Sequence, residues 1–117
     1  MENHVLELLK HLGADTKYKG CEYILFCVDF IHNLEAYTIP DTKLMYQNIA
    51  DIFTLNPASV ENSIRNVITH IWTEYKNPEL MKKVFGFHNY EKRPCNIEFL
   101  ILFYNHIKYH IIYEQRL

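Results

Sequence analysis

Between Pro57 and Tyr75 the chain carries Ser59, Glu61, Asn62, Arg65 and Asn66, side chains able to hydrogen-bond base edges and phosphates. A carboxylate accepts from the amino group of cytosine, an amide such as Asn62 pairs with adenine, and a guanidinium pairs with guanine or grips a phosphate. On a helix these groups fall on one exposed side, because Val60, Ile64, Val67, Ile68 and Ile71 repeat with helical spacing and make the opposite, apolar one.

The elements that must hold this helix lie directly ahead of it. Ile49, Ala50 and Phe53 make an apolar face on a preceding helix, and the small Ala50 suits a close crossing. Thr54, Leu55 and Asn56 end that helix, and Pro57 can open the next, where a missing backbone N–H costs nothing. Two short amphipathic helices joined by a tight turn, from Gln47 to Trp72, are what a helix-turn-helix requires, and that motif seats its second helix in the major groove. The same pattern also serves two helices that merely build a core.

Around this pair the pattern predicts an all-α chain of about six helices. Residues 3–12 place Val5, Leu8, Leu9 and Leu12 on one stripe and stop at Gly13. Tyr18 to Glu35 is nearly all apolar and reads as a buried central helix, with a buried strand over Tyr23 to Phe30 as the competing assignment. Pro40 breaks the chain before helices at 42–54 and 57–76. A short helix follows Asn77 and Pro78 and ends near Gly86; a polar connector, His88 to Cys95, leads to a last helix from Asn96 to about Tyr113.

A length of 117 residues fits one domain, and 49% hydrophobic with 15% aromatic residues is enough for a core. Cys21, Cys27 and Cys95 are odd in number and lack CxxC spacing, which argues against a disulfide framework or a cysteine-rich zinc site and for reduced, mostly buried thiols. No signal peptide opens the chain and its apolar runs are too short to cross a bilayer, so the expectation is a cytoplasmic protein with no membrane contact. The formal net charge of −2 is poor for a partner as acidic as DNA. Its basic residues are scattered, with pairs at Lys17/Lys19, Lys82/Lys83 and Lys92/Arg93.

Taken in order, these segments resemble the C-terminal DNA-binding domain of the master sporulation response regulators of endospore-forming bacteria, the stage zero sporulation protein A family. The likeness covers nearly the whole chain. It is carried by HLGADTKYKGCEYI, by Ile49-Ala50-x-x-Phe53, by Ala58-Ser59-x-Glu61-x-x-Ile64-Arg65 with Trp72 beyond, by Leu80 to Phe87, and by Pro94-x-Asn96-x-Glu98-Phe99. The resemblance implies an all-helical effector domain that binds double-stranded DNA and touches RNA polymerase sigma factor. It also implies that Glu61 and Arg65 read bases. Ser59 and Asn62 stand where the family carries arginines, which implies weakened or altered operator recognition. Lys92 and Arg93 fall where the family holds the DNA backbone. Those regulators carry a receiver domain ahead of this module, whereas here Met1 lies just before the first helix. The expectation is a single domain over 1–117 without a receiver, either a stand-alone relative or a cut fragment.

Other chemistries find less in the sequence. His106 and His110 share a helix face, but with no HExxH pattern and no third ligand they read as a surface or half-buried pair rather than a metal site. No local nucleophile and base order points to an enzyme, and no cofactor motif is present. Within the helix-turn-helix, Glu61 also suits a first-turn acid favoured by the helix dipole, and Arg65 can pair with Glu61 four residues earlier. The alternative function is a protein-interaction module that has kept the fold and lost DNA binding, pairing with a regulator, a sigma factor or itself. The motive for it is the apolar last helix, Phe99 to Tyr104 with Ile107, Ile111 and Ile112, of which part is free to form a homodimer or partner surface.

Overall fold

The computed structural model describes residues 1–35, 38–86 and 92–115, with 111–115 described by backbone alone. Among the described residues there are six helices: α1 (Glu2–His11), α2 (Lys19–His32), α3 (Thr42–Phe53), α4 (Pro57–Glu74), α5 (Pro78–Phe85) and α6 (Asn96–Gln115). The described part contains no strand. Tyr23 to Phe30 is therefore helical. Its buried residues, Gly20, Cys21, Tyr23, Ile24, Cys27 and Val28, follow helical rather than alternating spacing.

The ends of α3, α4 and α5 are fixed by local chemistry. Asp41, Asn56 and Asn77 each accept a backbone N–H three residues on, from Leu44, Ser59 and Leu80 at 3.1, 2.9 and 3.2 Å. Pro57 and Pro78 open their helices. α3 stops at Thr54, which is left-handed (φ 57°, ψ 50°), and Leu55 then returns its N–H to the Ala50 carbonyl at 2.8 Å, a Schellman closure. A β-branched residue in that conformation is costly, so the turn is held by what surrounds it.

α2 is the hub, packing against α1, α3, α4 and α6. Its closest approach is to α4. Gly20 is buried there, and a Cβ at that position would collide with the Ser63 carbonyl oxygen and lie 2.6 Å from Val67 Cγ2. Ala50, for which the sequence suggested the close crossing, is fully buried in α3. A second join is aromatic. Trp72 of α4 meets Phe85 of α5 at 4.9 Å between ring centroids, and Phe85 stacks on Phe99 of α6 at 5.1 Å. Phe99, Leu100, Phe103 and Ile107 are fully or almost fully buried, so the described part of α6 is largely a core helix. Ile111 and Ile112, part of the proposed partner surface, lie outside the residues whose side chains are described.

Candidate nucleic-acid interface

α4 is built with one dry side and one wet side. Val60, Ile64, Val67, Ile68, Ile71 and Trp72 are buried, and Ala58, Asn62, Asn66, Thr69 and Thr73 form an exposed ridge on the opposite side. The apolar spacing alone produces that division. No described segment covers the ridge, so the helix presents amides, hydroxyls and methyls to solvent.

The predicted site residues divide into groups. Glu61 and Arg65 sit together on the flank of α4 nearer α3 and α6. Arg65 Nη2 donates to Glu61 Oε1 at 2.6 Å, and Nη1 donates to Asn62 Oδ1 at 2.9 Å. The side chains of Arg65 and Glu61 keep 40% and 44% of their exposure, so solvent screens this ion pair. Ser59 is half-buried and its hydroxyl donates to Asn56 Oδ1 at 3.1 Å, which makes it part of the α4 cap. Asn66 is exposed, on the side of the ridge away from Arg65, beside a cleft of about 360 Å³ lined also by Tyr18, Lys19, Gly20 and His70.

Arg93 is brought to the same place as Arg65. Both line a cavity of about 490 Å³ together with Thr42, Tyr46, Glu61, Cys95, Asn96 and Ile97. Arg93 Nη1 donates to the Pro94 carbonyl at 3.3 Å, while Lys92 is exposed. Half of the connector from His88 to Cys95 that holds them, His88 to Glu91, lies outside the described residues.

Two features of this junction were not singled out as site residues from the sequence. Asn96, buried at the start of α6, donates Nδ2 to the Glu61 carbonyl at 3.1 Å and so ties α6 to the first turns of α4. Tyr46 of α3 backs the same cavity, and burial raises its phenol pKa. The Pro94-x-Asn96 motif was visible, but a single sequence carries no signal that an asparagine will face a carbonyl thirty-five residues earlier.

Elsewhere, among the described residues no group of three or more His, Cys, Asp or Glu side chains is arranged to hold a metal ion. His106 and His110 lie face to edge at 4.4 Å. Among the described residues no helix is long and apolar enough to cross a membrane.

The wet ridge on α4 and the closed turn ahead of it make α3 and α4 a helix-turn-helix, with Arg65 and Arg93 brought together at one flank. Comparison of the sequence with known families agrees. The sequence model described as Sporulation initiation factor Spo0A C terminal matches residues 5–107, from inside α1 well into α6, and the chain therefore belongs to the Spo0A C-terminal family of DNA-binding sporulation regulatory domains.

Proposed function

We propose that the protein is a sequence-specific DNA-binding transcription regulator that inserts α4 into the major groove, with operator recognition altered from that of its arginine-bearing relatives. The observation that carries this reading is the uncovered ridge of α4 beside the paired Arg65 and Glu61. Asn62, Arg65 and Asn66 face bases, and Glu61, having given one carboxylate oxygen to Arg65, keeps a second with which to accept from a cytosine. Ser59 braces the helix start and reaches the nearest phosphate, while Lys92 and Arg93 hold the backbone.

The internal clamp on Arg65 does not prevent this. An exposed i,i+4 ion pair is worth about 0.3–0.5 kcal/mol, whereas a bidentate contact to guanine contributes about 1–3 kcal/mol, so DNA wins the guanidinium. Overall acidity is likewise overcome locally, since phosphates respond to the charges nearest them.

Fluorescence anisotropy with the family's operator and with a randomised duplex pool tests the reading. The expected result is binding that weakens steeply with salt, with Lys92→Ala weakening all sequences alike and lowering the salt slope by about 1. No binding to any duplex at low salt overturns it.

A second use of the fold, pairing with a sigma factor or a second copy, is favoured by one observation. Leu44 and Ile52 of α3, with Leu55 in the turn, are large apolar side chains that are 50%, 58% and 41% exposed. Light scattering across a concentration series, alone and with sigma factor, tests it. A protein that stays monomeric and ignores sigma rules it out. A DNA-reading role of either kind belongs in the cytoplasm.

A further inference from the structure

We infer that Asn66 is a specificity-determining residue and that it reads an adenine. This rests on the assignment of α4 as the groove-facing helix and names the base that one of its side chains takes. Along the exposed ridge of α4 the groups capable of bidentate recognition are few. Ala58, Thr69 and Thr73 offer a methyl or a single hydroxyl, and only Asn62 and Asn66 carry amides.

The two amides are not equivalent. In the free protein the Asn62 oxygen accepts from Arg65 Nη1 at 2.9 Å, which ties its amide to the Glu61–Arg65 pair. Asn66 lies one turn further along, exposed, and takes no part in the bonds that bind Arg65 to Glu61 and Asn62. Its amide sets an acceptor beside a donor. Adenine offers the matching pair in the major groove, an N6 amino donor beside an N7 acceptor. Guanine offers two acceptors, cytosine a lone amino donor, and thymine a lone carbonyl with a methyl group, so each leaves half of the amide unpaired.

Position supports the same assignment. Ser63 and Val67 bring the N-terminal turn of α2 against one flank of α4 through Gly20, and Glu61 and Arg65 occupy the other. Asn66 therefore projects from the exposed ridge on its α2 side, clear of the Glu61–Arg65 pair, where its amide is open to a base edge.

The test begins with selection from random duplexes, using the full chain and its Asn66→Ala, Asn66→Gln and Arg65→Ala variants, followed by anisotropy on the selected core with single-base changes. The expected core contains an adenine whose replacement by guanine weakens the unaltered protein about 10-fold to 100-fold. Asn66→Ala is expected to bind both duplexes equally, with an unchanged salt slope and an unchanged circular dichroism melt, whereas Asn66→Gln keeps a preference for adenine and Arg65→Ala keeps the adenine dependence at lower affinity. A core with no adenine dependence, or a dependence that survives Asn66→Ala, overturns the inference while leaving DNA binding by α4 intact. Failure of the unaltered protein to bind any duplex overturns both.

Discussion

Arg65 shows how one side chain serves two states. In the free protein its charge is answered by Glu61 and Asn62 on its own helix, which aligns the guanidinium with the α4 surface before any partner arrives. Because the pair is half-exposed, Arg65→Ala is expected to leave thermal stability within about 0.5 kcal/mol of the original and to cost about 1–3 kcal/mol of DNA binding, read by melting curves and anisotropy. The cysteines divide as sharply. Burial, and then Asp15 nearby, push the Cys21 thiol up to about 11, and burial pushes that of Cys27 higher still, while Cys95 is exposed beside the arginine cavity. A thiol reagent at pH 8 is therefore expected to modify Cys95 alone in the native protein, and all three cysteines only after denaturation, as mass spectrometry of the labelled chain will show.

At the scale of elements, the orientation of α4 depends on a contact without side-chain chemistry. The missing Cβ of Gly20 lets α2 lie against the Ser63 carbonyl, and α2 in turn carries α1, α3 and α6. Gly20→Ala must push the two helices apart. The expected loss is about 1–3 kcal/mol, seen as a drop in melting temperature of roughly 4 °C per kcal/mol. Most elements were legible because hydrophobic spacing and caps act locally. The asparagines before Pro57 and Pro78 set helix starts where the sequence places them, and the predicted bounds differ from the observed ones by a residue or a few at fraying ends. The competing strand assignment over Tyr23 to Phe30 reflects a short apolar run with no distinct period. The length of α2 and its many partners decide for helix.

For the whole molecule, acid is the condition that tests the packing of its two ends. His106 of α6 borders a cleft shared with His4, Glu7 and His11 of α1, Leu80 of α5 and His110. Burial, then His110 and Lys83, lower its pKa below the ordinary 6.5. A base whose pKa is lower in the folded state binds fewer protons there than in the unfolded chain, so stability is retained above 6.5 and falls as the pH drops through the folded value. Denaturant midpoints measured from pH 7 to pH 5 are expected to decline, and His106→Gln is expected to flatten part of that decline. In the described part of α6, Phe99, Leu100, Phe103, Tyr104 and Ile107 are spent on the core, while Ile101 and Leu102 are half-buried and Tyr109 is exposed.

By itself the sequence determined most of the helical order, the turn between α3 and α4 and the wet and dry sides of α4, since each follows from spacing along a few turns of chain, and its ordered motifs carried the likeness to the family. Only the tertiary structure decided that Arg93 and Arg65 share a cavity, that Asn96 is anchored to the Glu61 carbonyl, and that Gly20 sets how closely α2 meets α4. Those contacts join residues far apart in the chain, and no local periodicity records a distance that comes into being only when the helices pack.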